Sequence, residues 1–254
     1  LDNLMNSISQ RGRDSYGIFK EENIFLGHHR LSIIDTSPLS NQPMEFDDHI
    51  LVFNGVIYNY KDLRERLTKQ GHQFKTCGDT EVVLRAYLEF GSQCVEKFDG
   101  VFAFCIYDKK SKNLFLARDR IGIKPIYYTF DNSHFSFASS MLGIMKNINS
   151  LNINPKALHF QFSLHSVVPA PDTIIENIFK LEPGHTLLVT HDGKRYNNKY
   201  YDLNQISLEN HDEKDILDNC KTLLNEAIKK RIVISDVPVG ILLSGGLDSS
   251  IITA

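Results

Sequence analysis

Near the end of the chain, SGGLDSS (Ser244 to Ser250) gathers glycines, serines and an aspartate in the pattern of a phosphate-binding turn. Glycines let backbone N–H groups approach an anion, and serine hydroxyls add donors. A helix opening at Asp248 would add uncapped N–H groups and a favourable dipole. Ile241, Leu242 and Leu243 predict a buried strand leading into this turn. The loop lacks the Gly-Lys-Ser/Thr ending of a Walker-type loop, which argues against a nucleoside triphosphatase of that kind. A ligand-free strand-turn-helix connection is the plainer alternative, since Gly and Ser occur in any loop.

A second set of residues lies far upstream. Arg30 stands at the head of the apolar run LSII, where a guanidinium is suited to gripping a carboxylate bidentately; a surface salt bridge is the alternative. Asn54-Gly55 sets a side-chain amide beside a glycine N–H, which is how an oxyanion hole can be built, although the same dipeptide serves as a hairpin turn. Asp79, ahead of a helical pattern, reads on sequence alone as a helix cap. Cys77 beside it is a thiol near a helix start. His28 and His29 are adjacent on a strand pattern and so point to opposite faces, which argues against a metal pair. In RDRIGIKP, the charges of Arg118, Asp119, Arg120 and Lys124 read as a solvated turn with mutual ion pairs.

The elements that must position these groups follow from periodicity. Leu1, Leu4, Met5 and Ile8 predict a short helix ending near Gly12, followed by a polar loop through Gly17. Ile24 to Asp35 reads as extended. Ile50 onward reads as a strand, a turn at Asn54-Gly55, then a helix capped near Asn59 and ended by Gly71. A helix runs from Asp79 to about Phe90. Four short strands, Val101–Tyr107, Leu114–Arg118, Ile126–Thr129 and His134–Ala138, read as a meander, with a short helix over Ser139–Ile144. After Leu151 prolines punctuate irregular chain and short strands, before a hairpin over Thr186–Tyr200 that turns at His191 to Gly193. Residues 202–211 are polar and read as a boundary, dividing a first domain (1–201) from the start of a second (212–254) that opens with a long amphipathic helix.

Composition bounds the function. The 254 residues are 42% hydrophobic and 23% charged, ordinary for a globular protein. A net charge of -3 without a basic block argues against nucleic acid as a partner. No apolar run approaches transmembrane length. Cys77, Cys94, Cys105 and Cys220 show no C-x-x-C spacing, which suggests neither a disulfide framework nor a zinc site and fits a reducing cytoplasm.

Taken in order, QRGRDSYG, HHRLSIID, VFNGVIYNY, TCGDTEVV, FAFCIYD, LFLARDRIGIKPIYY and FASS, followed by SGGLDSS, resemble the glutamine-hydrolysing asparagine synthetases over nearly the whole chain. SGGLDSS itself resembles the pyrophosphate loop of ATP pyrophosphatases. The resemblance implies a class II glutaminase domain with the α/β/β/α sandwich of N-terminal-nucleophile hydrolases, followed by the beginning of a parallel-sheet α/β ATP-pyrophosphatase domain. It implies that Arg30 binds the glutamine α-carboxylate and Asp79 its α-amino group, with Leu31, Ser32, Ile33, Ile34 and Val56 lining the pocket and Asn54 and Gly55 forming the oxyanion hole. Leu242, Ser244, Gly245, Gly246, Asp248, Ser249 and Ser250 would bind ATP, and Asp248 would hold Mg2+. Glutamine, ATP and aspartate would be the substrates, and a homodimer stays open.

The family's nucleophile is an N-terminal cysteine, which does not precede Leu1 in this sequence. Both ends read as cut, and the chain by itself is expected to release no glutamate. The sequence also departs from the family at Gln10, Arg13, Val56 and Ser140, where histidine, proline, glutamate and glutamate are usual. Val56 removes a carboxylate beside the substrate ammonium and leaves Asp79 to hold that charge. Two further readings remain: an amidotransferase for a sugar acid or another carboxylate in surface-polysaccharide synthesis, and a degenerate glutaminase-like binding module.

Overall fold

A strand that buries both faces must be apolar at successive positions, and the central strands here are. A computed structural model describes residues 2–130, 134–146, 148, 150–203 and 212–254. Helix α1 (Asp2–Ile8) leads through a 3-10 turn into the antiparallel pair β1 (Ser15–Glu21) and β2 (Ile24–Arg30). Strands β3 (Met44–Phe46) and β4 (His49–Ile57) are followed by helices α2 (Tyr60–Lys69) and α3 (Asp79–Phe90). Then come β5 (Gly100–Asp108), β6 (Asn113–Arg118), β7 (Tyr127–Phe130), β8 (Phe135–Ala138), α4 (Met141–Met145) and α5 (Pro155–Ser163). The chain continues through β9 (Ile178–Lys180), β10 (His185–Val189) and β11 (Arg195–Lys199) to α6 (Glu213–Val233) and α7 (Leu247–Thr253).

Among the described residues the strands form three antiparallel sheets: β11-β10-β6-β5-β4-β3, β1-β2 and β8-β7-β9. The large sheet sends alternate side chains into two cores. Leu51, Phe53, Phe102, Phe104, Ile106 and Phe115 pack beneath α2 and α3 with Leu63, Leu67, Val82 and Val83. Ile50, Val52, Cys105, Leu114 and Leu116 face the opposite way and meet Leu26, Tyr128 and Phe137 from the two smaller sheets, with Ile126 just before β7. A third cluster, with Ala138, Ile144 and Ile178, seats α4 on the outer side of β7-β8-β9. The layers are therefore helices, sheet, sheets and helix, the expected α/β/β/α sandwich. Full burial of a side chain such as Ile50, Leu51 or Leu116 contributes roughly 1.5–3 kcal/mol, and α6 itself adds no fully buried residue to these cores.

Several expectations are corrected. Asn54-Gly55 is not a turn: β4 runs straight through it, paired with β5 from His49 to Ile57. The four-strand meander splits, because β6 stays in the large sheet while β7 and β8 cross to the second layer. The polar loop after Gly12 is already strand from Ser15, and the extended run at Ile24 stops at Arg30. The irregular region contains α5, which Asn154 caps by accepting from the Lys156 and Ala157 N–H groups, with Pro155 at the first helical position. Ile241, Leu242 and Leu243 form no buried strand; they are 46%, 96% and 58% exposed. A strand persists only where its backbone groups are paired, and among the described residues no strand lies beside this one. Of the boundary 202–211, positions 204–211 lie outside the described residues, as does Leu1.

Candidate active site

A cavity of about 580 Å³ opens between the sheet layers at the ends of β2 and β4. Its walls include Arg30, Leu31, Ile33, Ile34, Asn54, Gly55, Val56 and Asp79. Ser32 is not among them, and its N–H donates to Asp14 Oδ2 at 2.7 Å. None of Leu242, Ser244, Gly245, Gly246, Asp248, Ser249 or Ser250 lines this cavity. Sequence reasoning missed Arg11, Gln42 and Lys124 in its wall. Lys124 arrives on the RDRIGIKP segment, which is no solvated turn: Asp119 is 1% exposed and accepts from the N–H groups of Ile121, Gly122, Ile123 and Lys124, while Arg118 donates to the Lys124 and Gly122 carbonyls. Burial holds the Lys124 ammonium below its usual range.

The edge of β4 supplies a donor with no partner among the described residues. In a strand, backbone groups point alternately to the two edges. Tyr58 N–H donates toward the β5 side, to Asp99 O, whereas the Phe53 N–H donates to Gln42 Oε1 and the Ile57 N–H to Asp79 Oδ2 at 3.0 Å. Gly55 lies between Phe53 and Ile57 in the same phase, so its N–H points to that outer edge too. Its β5 neighbour Phe102 turns its own N–H and carbonyl away, to Asp119. The Gly55 N–H therefore faces the cavity. Glycine is required there for close approach: a Cβ on Gly55 would meet the Val101 carbonyl oxygen at 2.2 Å. Asn54, in phase with Ile50 and Val52, is half-buried in the cavity wall, and its side-chain amide has no hydrogen-bond partner among the described residues.

Arg30 and Asp79 bring opposite charges to the same cavity. Arg30 is 5% exposed, so the surface salt bridge is ruled out. Its Nη1 donates to Ser37 O and Asn41 Oδ1, both at 2.9 Å, and its Nη2 to Ile34 O at 3.3 Å and to Asp35 O. The guanidinium thus holds the loop that follows it, leaving its Nε–H without an acceptor among the described residues. Asp79 occupies the first turn of α3 behind the N-cap Gly78 and is 4% exposed. Burial raises its carboxyl to about 6, against the opposing pull of the Ile57 N–H and the Arg30 charge.

The neighbouring groups are structural. His28 is lowered to about 4 by burial, and its Nε2 must carry the proton given to Phe53 O, so the ring is neutral. His29 packs against the Tyr16 ring. Cys77 is exposed and does not line the cavity; the thiols of Cys94 and Cys105 are raised far above their ordinary range by burial. Gln10 accepts from Arg13. In the second segment, α7 opens at Leu247 behind Gly246, and the Ser249 and Ser250 hydroxyls donate back to the Gly246 carbonyl.

Residues 1–201 match the family described as glutamine amidotransferase domain, and residues 219–254 match that described as asparagine synthase. A Methanocaldococcus jannaschii protein with the provisional name glutamine-hydrolysing asparagine synthetase 2 is 41% identical over 98% of this chain and 52% of its own length. The Bacillus subtilis asparagine synthetase (glutamine-hydrolysing) 3 is 36% identical over 100% of this chain and 42% of its own. The chain thus spans about half the length of these curated relatives. Among solved structures, the glutamine phosphoribosylpyrophosphate amidotransferase of B. subtilis superposes with a TM-score of 0.56 at 17% identity, over 78% of this chain and 46% of that one, a likeness of fold.

Proposed function

Because this chain belongs to the family of glutamine amidotransferase domains, we propose that its cavity receives glutamine in an ATP-dependent synthetase that makes asparagine from aspartate. The observation that carries this reading is one cavity holding a buried cation and anion together with the Asn54 amide and the Gly55 N–H, which have no partner among the described residues. Glutamine's α-ammonium meets the Asp79 carboxylate, and its α-carboxylate meets the Arg30 charge and Nε–H. Leu31, Ile33 and Ile34 form the adjoining wall, while the Ser32 N–H is held by Asp14. The side-chain amide then lies against Asn54 and Gly55. When a nucleophile adds to that amide, charge develops on its carbonyl oxygen, and donors already fixed in place stabilise it without reorganising. The family resemblance gives the attack to an N-terminal cysteine thiol, whose thioester water then hydrolyses to glutamate.

The first domain, 1–201, would release ammonia, and the segment from 212 would begin the synthetase that consumes it. There Ser244, Gly245, Gly246, Ser249 and Ser250 would hold the ATP phosphates, with Leu242 near the nucleoside. The donors suit Mg2+: Asp248 is a carboxylate in the first turn of α7 beside serine hydroxyls, and Mg2+ commonly takes one or two carboxylates plus phosphate oxygens. When bound, the ion would neutralise phosphate charge while aspartate is activated as β-aspartyl-AMP. No described helix is long and apolar enough to cross a membrane, and free cysteines suit a reducing cytoplasm.

A protein extended to the full length of the curated relatives is expected to form asparagine, AMP and pyrophosphate from aspartate and ATP with either glutamine or ammonia. Ammonia-only activity would refute the glutaminase half of the proposal. Activity on a sugar acid or other carboxylate in place of aspartate would refute the assigned acceptor. Val56 supplies a second test. It is half-buried in the cavity wall without a charge for the substrate ammonium, so Val56→Glu should lower the glutamine KM about ten- to a hundredfold, in line with one added charged hydrogen bond. An unchanged KM would exclude this position from ammonium recognition.

A further inference from the structure

Asp236 lies 201 positions from Asp35 in sequence, yet its Oδ2 accepts the Asp35 N–H at 2.7 Å. In return the Asp236 N–H donates to the Ile33 carbonyl at 2.9 Å. These two bonds clasp the loop that forms one wall of the cavity. The segment bearing Asp236 is itself anchored to the first domain. Ile234 is buried in the core beneath α2 and α3, the Arg231 guanidinium lies 4.8 Å from the Tyr58 ring centroid, and Lys230 Nζ is 2.7 Å from Asp99 Oδ2.

The clasped peptide connects to both charges of the cavity. Ile34 and Asp35 present their carbonyls to Arg30 Nη2. The Asp35 carboxylate accepts from Ser40 Oγ, the Ser37 N–H, the Cys77 N–H and the Gly78 N–H, and Gly78 is the residue before Asp79. Asp35 also sits at φ +50, a backbone conformation that a residue with a Cβ holds only when its surroundings enforce it. Releasing the clasp would therefore let the cation and the anion shift relative to each other. A zwitterion gripped at both ends senses such a shift in its affinity.

We propose that Asp236 is a positioning residue through which the segment leading to the phosphate loop sets the affinity of the cavity for glutamine. It acts through the Ile33–Asp35 loop and does not touch the substrate. The inference rests on the glutaminase reading above, and it adds that an element outside residues 1–201 maintains that site. Ser244 follows Asp236 by eight positions, so the tether and the proposed nucleotide loop share one short stretch of chain.

The test compares the extended protein with its Asp236→Ala and Asp236→Asn variants. Loss of the accepting oxygen should raise the glutamine KM about tenfold, while glutaminase kcat and ammonia-supported synthesis stay at parental values. Asn retains a side-chain oxygen able to accept from Asp35 and should bring the KM back to within about twofold. Amide exchange over residues 31–41 should accelerate in Asp236→Ala and stay parental over 185–199. Parental KM in Asp236→Ala, an Asn variant as impaired as the Ala one, or an equal loss of ammonia- and glutamine-supported activity would each overturn the proposal. A parent protein without glutaminase activity would instead overturn the function proposed above, and exchange over 31–41 would then decide whether Asp236 holds the loop at all.

Discussion

Asn54→Ala in the extended protein is expected to lower glutamine-supported turnover by about 10²–10³-fold, the usual effect of removing one oxyanion donor, while ammonia-supported synthesis is retained. The expectation follows from strand phase. Asn54 lies in the wall of the cavity, and its amide is engaged by no other group among the described residues. The adjacent Gly55 N–H faces the same space because, among the described residues, its β4 edge is unpaired between the bonds made by Phe53 and Ile57. Removing the amide breaks no described hydrogen bond, so thermal stability should change little, within about 1 kcal/mol. A fall in kcat with nearly constant glutamine KM would mark a contact made mainly in the transition state. Parental glutamine-supported turnover would remove Asn54 from the reaction.

Much of this site was legible before the fold was known, but the reasons for individual residues were not. Asn54-Gly55 carries a strong local signal for a hairpin, and the structure contradicts it. The glycine is demanded by the approach of the Val101 carbonyl from the next strand, a tertiary constraint that leaves no mark on spacing. The charge of Arg30 at the head of an apolar run made it a candidate for gripping a carboxylate. That its Nη groups would be occupied by the loop after it depends on where Ser37 and Asn41 fold back.

The layering was implied by the family resemblance, whereas the apolar pattern read the strands as one meander and gave no sign that the chain crosses between β6 and β7, since both segments read alike as short apolar strands. The dense charges of RDRIGIKP illustrate the same limit. A sequence shows that Arg118 and Asp119 are charged; only the fold shows Asp119 collecting N–H groups of its own turn and Arg118 collecting carbonyls. The strand expected at Ile241 to Leu243 failed for the converse reason. Local propensity cannot make a strand where no neighbour takes its backbone hydrogen bonds.

Asp79→Asn should lower kcat/KM for glutamine by about 10²–10³-fold, as expected when one partner of a buried ionic contact is neutralised. Asn keeps an oxygen for the Ile57 N–H and so preserves the local geometry, but it cannot balance the substrate ammonium. The pH dependence makes the prediction specific to charge. Asp79 in the folded protein ionises at about 6, above the 3.8 of a free side chain, chiefly because of burial. Glutamine needs the ionised form, so parental kcat/KM should rise with pH through about 6, and that limb should vanish in the Asn variant.

Stability should move in the opposite sense. Between about 4 and 6 the folded state keeps a proton that the unfolded chain has already lost, so the Asp79 contribution to stability falls as pH rises through this window and then levels off. Thermal unfolding without glutamine should therefore show the Asn variant gaining on the parent from pH 4.5 to pH 7, because it never has to bury a charge. Saturating glutamine should favour the parent by supplying the missing cation. A pH-independent difference in melting temperature, together with an unchanged glutamine KM, would show that Asp79 only orders the start of α3 and binds no ammonium.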